Sequence, residues 1–218
     1  MRRMIASGPP AKRPPHIAFG PGLFGPSAFG WVLASFGTVA LALLLAAAVA
    51  MAAEPDVKPG EFIPASPPQP APEVSFTDLS GNGVTLGDFK GKLVLLNLWA
   101  TWCQPCLKEM PSLEKLQESQ GDKLIVAAVS EDRGGKELVE PFVAKLGLAK
   151  VKIYLDPKST VGHAVEARGL PTTLVIDGKG FVVGRVEGAA EWDSDKMAGV
   201  LQPFLPASDD VKLKRAER

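Results

Sequence analysis

The chain of 218 residues has only two cysteines, Cys103 and Cys106, and two histidines. Two cysteines cannot build the set of disulfides that stabilises a small secreted scaffold. A purely structural disulfide between them is also disfavoured, because so short a loop constrains the unfolded chain very little. A closely spaced pair of this kind indicates either redox chemistry or one half of a metal site.

The scarcity of other ligands argues against a metal site. A structural zinc ion takes a complete tetrahedral set of Cys and His side chains. Besides the two cysteines the chain offers only His16, which precedes the apolar segment described below, and His163. We therefore interpret His163 as an ordinary helix or surface histidine, and we expect neither a metal nor another cofactor.

An excess of basic charge is missing as well, since 24 Lys and Arg residues balance 24 Asp and Glu residues. The balance hides an asymmetry: residues 1–53 hold four basic residues and no acidic one, which leaves 20 basic and 24 acidic residues in 54–218. Nothing there forms the clustered basic face that nucleic-acid binding requires. We expect no nucleic-acid partner.

Charged residues are also absent from a long stretch, residues 14–53. Its part from 27 to 53 is free of proline, apolar, and longer than the about 20 residues that span a bilayer. Basic residues precede it and acidic residues follow it, so the positive-inside rule predicts a cytoplasmic segment at 1–26 and a transmembrane anchor at 27–53. A cleaved signal peptide is the alternative, because Ala50-Met51-Ala52 has the pattern of a cleavage site.

The rest of the chain divides into three parts. Residues 54–72 are rich in proline and lack periodicity, which is typical of an extended, semi-rigid linker. Residues 73–207 have the mixed pattern of a globular domain. Residues 208–218 form a short charged tail.

Strand and helix signals alternate within the domain. A hairpin is predicted around Ser80-Gly81-Asn82-Gly83, since Asn-Gly tolerates the positive φ of a tight turn. The apolar run Leu93–Trp99 is typical of a strand buried on both faces, and Gln104–Gln120 has helical spacing. Further strands are predicted at 124–129, 151–155, 172–176 and 181–186, and helices at 136–146 and 192–204. The pattern predicts an α/β fold with a mixed central sheet covered by helices on both faces.

The two cysteines fall between the strand Leu93–Trp99 and the helix Gln104–Gln120. The first turn of a helix presents unpaired N–H groups and partial positive charge, which stabilise a thiolate. Only Cys103 lies at that end, so we expect it to be the exposed nucleophile. Cys106, one turn further in, is shielded and would resolve the mixed disulfide, which leaves the substrate reduced.

The segment Trp99-Ala100-Thr101-Trp102-Cys103-Gln104-Pro105-Cys106 resembles the thioredoxin superfamily. It is most similar to the TlpA-like branch of membrane-anchored thiol:disulfide interchange proteins, which includes the ResA and DsbE type reductases of cytochrome c maturation. Pro111 matches the proline inside that family's active-site helix, and Gly169-Leu170-Pro171-Thr172 matches its cis-proline loop. The long segment between Leu124 and Val161 fits that branch's inserted strand–helix unit.

The resemblance implies roles for several residues. Leu170 and Pro171 would bind substrate backbone, with Pro171 in the cis form, and Trp102 would shield the rim where partners dock. Gln104 and Pro105 form the active-site loop between the cysteines and would tune the reduction potential.

One position departs from plain thioredoxin, which has a buried aspartate six residues before the first cysteine. The corresponding residue here is Asn97, which cannot titrate. Glu109 lies one helical turn after Cys106 and shares its face, and the resemblance places an acid there. We predict that Glu109 assists deprotonation of Cys106; the alternative is a glutamate that faces solvent.

The resemblance implies an extracytoplasmic thiol:disulfide oxidoreductase that reduces selected protein disulfides, of the cytochrome c or copper oxidase maturation type. It implies a bacterial inner-membrane protein with one span, a catalytic domain in the periplasm, and a membrane electron donor of the DsbD or CcdA type. We expect a monomer.

Three alternative functions would each require residues that this chain lacks near the cysteines. An oxidant that introduces disulfides usually has a histidine between the cysteines, where this chain has Gln104-Pro105. A peroxidase of the related redoxin group would need the signature P-x-x-x-T-x-x-C, which the residues ahead of Cys103 do not form. A copper-delivery protein would need His or Met ligands near the cysteines, and we interpret Met110 as a core residue.

Overall fold

The structure is a computed structural model and describes residues 58–207. Within these residues no helix is both long and apolar enough to span a bilayer. The predicted cytoplasmic segment 1–26, the anchor or signal peptide at 27–53 and the charged tail 208–218 lie outside the described residues.

The described chain contains eight strands and four α-helices. In chain order they are β1 (Phe62–Pro70), β2 (Ser75–Asp78), β3 (Gly83–Thr85), β4 (Leu93–Trp99), α1 (Gln104–Gln120), β5 (Leu124–Ser130), α2 (Gly135–Leu146), β6 (Lys152–Leu155), α3 (Thr160–Ala164), β7 (Thr172–Ile176), β8 (Phe181–Glu187) and α4 (Asp195–Leu201). Short 3₁₀ turns follow β3, α1 and α4.

All eight strands form one mixed sheet in the order β1-β8-β7-β4-β5-β6-β2-β3. The pairs β4–β5 and β5–β6 are parallel, and the other pairs are antiparallel. The α/β fold with a mixed sheet and helices is therefore confirmed. The predicted N-terminal hairpin is β2–β3, and it extends the sheet beyond β6.

Strand β4 is central, and every one of its residues is buried. Because side chains alternate across a strand, Leu93, Leu95 and Trp99 pack in one cluster with residues of α1, α2 and α4. The intervening Leu96 and Leu98 pack in a second cluster with residues of α3 and of the β2–β3 hairpin. Each leucine fully buried in this way contributes about 1.5–3 kcal/mol.

The prediction of an extended, semi-rigid linker at 54–72 needs correction for Phe62–Pro70, which forms β1 and pairs with β8. The prolines hide the strand pattern in the sequence, but they are tolerated because β1 is the edge strand. Gly184 of β8 makes room for the Phe62 ring, since a Cβ there would lie 2.2 Å from Phe62 Cζ. The folded domain therefore begins before residue 73.

Two local predictions also need correction. The positive φ of the first hairpin falls on Gly81, not on Asn82, because the Asp78 carboxylate accepts hydrogen bonds from Ser80 N and Asn82 N and shapes the turn. The closing helix begins at Asp195, where Ser194 Oγ accepts a hydrogen bond from Met197 N. Trp192 therefore precedes that helix and is available to the functional site.

Candidate active site

Cys103 and Cys106 are joined by a disulfide, with their Cα atoms 5.3 Å apart. Cys103 is the N-cap residue of α1, and its Sγ accepts a hydrogen bond from Cys106 N at 3.3 Å. Cys103 is 5% exposed and Cys106 is fully buried. In the oxidised form Cys103, which we expected to be exposed, is thus nearly buried. It is still the more exposed of the two cysteines, as predicted.

The rim around the disulfide is formed by the residues that flank it. Trp102 is 67% exposed, and Gln104 and Pro105 are exposed as well. The nearly buried disulfide is therefore flanked in the sequence by exposed side chains.

The loop before β7 lies at the same end of the sheet as the cysteine pair, because Thr172 of β7 pairs with Leu98 of β4. The Leu170–Pro171 peptide bond is cis, as the resemblance implied. Leu170 packs against the core cluster that contains both cysteines. Pro171 is buried, and its carbonyl oxygen accepts a hydrogen bond from Gly188 N at 2.9 Å. The cis-proline loop and the cysteine pair therefore lie at the same end of two neighbouring strands, although they are far apart in the sequence.

Glu109 is only 2% exposed, so the alternative of a glutamate facing solvent is wrong. Its Oε1 accepts a hydrogen bond from Asn97 Nδ2 at 2.8 Å. Its Oε2 accepts two more, from Trp192 Nε1 at 3.0 Å and from Ala190 N at 3.1 Å. The carboxyl lies on the buried face of α1, which it shares with Cys106.

Burial raises the pKa of Glu109 from 4.5 to about 7, because a charged carboxylate loses its hydration inside the protein. The hydrogen bonds from Trp192, Ala190 and Asn97 act in the opposite direction, because each stabilises the ionised form. Burial has the larger effect. A carboxyl with a pKa near neutrality is suited to exchange protons at physiological pH.

Two further residues at the site did not stand out in the sequence. Trp192 was predicted inside the closing helix, and its contact with Glu109 joins residues 83 positions apart. Asp132 is buried beyond the carboxyl end of β5 and accepts hydrogen bonds from Thr101 N and Thr101 Oγ1 at 2.8 and 2.7 Å. It therefore fixes the segment directly before Trp102 and Cys103. An acidic residue just after a buried strand was the available signal.

The interpretations of His163 as a helix or surface histidine and of Met110 as a core residue are confirmed. His163 is exposed on α3, and Met110 is fully buried in the core cluster. Within residues 58–207 no group of three or more His, Cys, Asp or Glu side chains is placed to hold a metal ion.

A cysteine pair between a central strand and a helix, with a cis-proline loop at the same end of the sheet, defines a thiol:disulfide oxidoreductase of the thioredoxin fold. A model of the Redoxin family matches residues 67–201. The chain belongs to this family.

Relatives and solved structures agree with this class. Thioredoxin-like protein YneN of Bacillus subtilis (strain 168) is 43% identical over 117 residues, which are 52% of this chain and 67% of YneN. Thiol-disulfide oxidoreductase ResA of Bacillus cereus (strain ZK / E33L) is 34% identical over 136 residues, 62% of this chain and 77% of ResA.

Among solved structures, a DsbE-type thiol:disulfide interchange protein from Chlorobium tepidum has a TM-score of 0.58 at 27% identity, and the match covers 63% of this chain and 96% of that one. A DsbF homologue from Corynebacterium diphtheriae has a TM-score of 0.56 at 28% identity, over 68% of this chain and 97% of that one. The protein is accordingly a thiol:disulfide oxidoreductase similar to ResA and DsbE, and its substrates are protein disulfides.

Proposed function

We propose that this oxidoreductase works as a reductant of selected protein disulfides, with Cys103 as nucleophile, Cys106 as resolving thiol and Glu109 as the proton acceptor for Cys106. The observation that carries the proposal is the buried carboxyl of Glu109 on the same face of α1 as the buried Cys106. A shielded thiol has no water to take its proton, so a neighbouring base of suitable pKa is required.

The reaction proceeds in two exchanges. The thiolate of Cys103 attacks the substrate disulfide, a mixed disulfide forms, and the first substrate sulfur leaves as a thiolate. Cys106 then transfers its proton to the ionised Glu109 carboxylate and attacks Cys103 Sγ, which releases the second substrate thiolate. The dithiol loses two electrons and two protons, and the substrate disulfide becomes two thiols.

The rim residues assist this exchange by positioning the substrate. Leu170 and the cis-Pro171 receive the substrate backbone beside Cys103, and Trp102 covers the rim of the site. Gln104 and Pro105, the exposed residues between the cysteines, set the reduction potential. The resemblance of these positions to the TlpA-like motif supports each of the roles.

The direction of the reaction is tested by the reduction potential of the Cys103–Cys106 pair in the full-length protein, equilibrated against glutathione and thioredoxin buffers. We expect a value near that of thioredoxin, about −270 mV. A value near that of DsbA, about −120 mV, would instead make the protein an oxidant that introduces disulfides.

The order of the two cysteines is tested by trapping. Cys106→Ser leaves the mixed disulfide unresolved, so a covalent adduct between Cys103 and the substrate protein should accumulate and be visible by mass spectrometry. Cys103→Ser is the matched control and should trap nothing. Adducts with the Cys103→Ser variant alone would reverse the two roles. The trapped proteins would also identify the substrate.

The setting of the reaction is part of the proposal. The apolar run at 27–53, with basic residues before it, supports a single-pass inner-membrane protein whose domain works as a monomer in the periplasm. The resemblance to cytochrome c maturation reductases supports substrates of that type and a membrane electron donor of the DsbD or CcdA type. Cell fractionation with protease treatment of spheroplasts tests this; a protein protected from external protease would contradict it.

A further inference from the structure

One side-chain atom of Asn97 has no hydrogen-bond partner in the described structure. Its Nδ2 group donates both of its hydrogen bonds, to Glu109 Oε1 at 2.8 Å and to Thr173 Oγ1 at 2.9 Å. Its Oδ1 atom is buried and accepts none. An unpaired buried acceptor is unfavourable, so in this orientation the two donated hydrogen bonds must offset its cost.

The donated bonds depend on the state of Glu109. An ionised carboxylate only accepts hydrogen bonds, whereas a protonated one also carries an O–H donor. The hydroxyl of Thr173, the cross-strand neighbour of Asn97 on β7, can donate or accept. A half-turn of the amide would place Oδ1 opposite the same two oxygens, where it would accept from a protonated Glu109 and from Thr173.

We propose that Asn97 is the positioning residue for Glu109 in both protonation states, because its side-chain amide reverses when Glu109 gains or loses a proton. Nδ2 faces the ionised carboxylate, and Oδ1 faces the protonated acid. The use of this reversal in catalysis rests on the proposed function: Glu109 takes the Cys106 proton while its own hydrogen bond to β4 is kept.

Among the hydrogen-bond partners of Glu109, Asn97 is the one that can bond to both the ionised and the protonated carboxyl. The other two partners, Ala190 N and Trp192 Nε1, are donors that cannot accept. The ion pairs within residues 58–207 do not include Glu109. The other titratable side chain on the buried face of α1 is the reduced Cys106. Only Asn97 and Thr173 can change from donor to acceptor as the proton arrives.

The sequence offers a direct probe, because Asn97 and Asn82 are the only asparagines in the chain. The full-length, oxidised protein, in which the two cysteines do not titrate, gives two side-chain amide nitrogen signals when it is labelled with ¹⁵N at asparagine. We expect the Asn97 signal to shift in one step near the pKa of Glu109, about 7. The Asn82 amide, which donates to Asp78, is the internal control, since the pKa of Asp78 is lowered from its ordinary value.

Glu109→Gln should abolish the step, because the acid is replaced by an amide that does not titrate. A wild-type Asn97 signal that stays flat, while the pH profile of disulfide reduction still depends on Glu109, overturns the inference. If Glu109→Gln instead leaves the pH profile of disulfide reduction unchanged, the proposed role of Glu109 as proton acceptor is wrong. The inference about Asn97 then stands or falls with the pH dependence of the Asn97 signal in the wild type.

A second test uses two amide-to-acid substitutions on buried side chains. Asn97→Asp puts two carboxyls in one site, and like charges there should move the midpoint of the pH profile upward by about one pH unit or more. Gln117→Glu is the matched control: Gln117 is buried on α1 but bonds Leu124 O and Val126 N, away from Glu109. Equal shifts in both variants would overturn the inference.

Discussion

The indole Nε1 of Trp192 lies 3.0 Å from Glu109 Oε2 and donates a hydrogen bond to it. A tryptophan from the loop after β8 thereby influences the charge of a carboxyl on the helix that carries the redox cysteines. The bond favours the ionised carboxylate, whereas burial favours the protonated acid and raises its pKa to about 7. The balance between the two effects decides at which pH Glu109 can accept a proton.

Removing the indole donor should shift that balance. In Trp192→Phe the ionised Glu109 loses a charge-assisted hydrogen bond, typically worth about 1.5–3 kcal/mol. The pKa of Glu109 should rise further, and the pH profile of kcat/KM for disulfide reduction should move upward by about one pH unit or more.

Trp99→Phe is the matched control for this prediction. Trp99 is also fully buried, but its Nε1 has no hydrogen-bond partner within the described residues. Its replacement should lower stability without moving the pH profile. Profiles that move equally in both variants would mean that Trp192 acts only through packing.

The raised pKa of Glu109 also predicts how stability changes with pH. Its pKa rises from 4.5 to about 7 on folding, so the folded protein binds more protons than the unfolded chain between these values. Stability therefore falls as pH increases through this window and is lowest above it. At about 1.4 kcal/mol per pKa unit, the loss is on the order of 3 kcal/mol.

Glu109→Gln removes this titration. Urea unfolding of the oxidised wild type and of the variant, at about pH 4 and about pH 8, isolates the contribution of Glu109, because other titrating groups cancel in the difference. We expect the variant to gain stability relative to the wild type as pH rises. A difference that stays constant with pH would contradict a raised pKa.

The parts of the fold that the sequence predicted well are those set by local pattern. Strand Leu93–Trp99 and helix Gln104–Gln120 have the predicted bounds, since continuous apolar character and helical spacing are both local signals. The position of Glu109 on the face of Cys106 followed from helical periodicity. The burial of Glu109 could not be predicted in this way, because it depends on which other elements cover that face of the helix.

The partners of Glu109 come from distant parts of the chain. Trp192 is 83 residues away and Ala190 is 81, and no periodic pattern connects them to α1. Strand β1 was missed for a different reason: its prolines suppress the strand signal, and only pairing with β8 reveals it. Long-range packing thus supplied what local sequence patterns lacked.

Asp132 should affect catalysis through the segment before the nucleophile. Its carboxylate accepts hydrogen bonds from Thr101 N, Thr101 Oγ1 and Ser130 Oγ. In Asp132→Ala the segment that leads to Cys103 loses these anchors, and a displaced nucleophile reacts more slowly. We expect kcat/KM with a protein disulfide to fall by about tenfold.

A second buried aspartate separates this effect from lost stability. Asp156 is buried and accepts hydrogen bonds from Thr160 Oγ1 and Val161 N, at the start of α3. Asp156→Ala should destabilise the fold by a comparable amount, measured by urea unfolding, while kcat/KM stays near the wild-type value. Equal loss of activity in both variants would leave Asp132 with a purely structural role.

The last prediction concerns Gly184, the glycine of β8 against which Phe62 of β1 packs. A Cβ at Gly184 would lie 2.2 Å from Phe62 Cζ and 2.7 Å from Ile63 O, so Gly184→Ala must push β1 away. Forcing extra atoms into a packed site costs about 1–3 kcal/mol. Gly199→Ala, in α4 with open space around it, should instead stabilise by about 0.5–1 kcal/mol. Urea unfolding of both variants checks the pair; an unchanged midpoint for Gly184→Ala would mean that Phe62–Pro70 does not pack on β8 in solution and that the folded domain begins later in the chain.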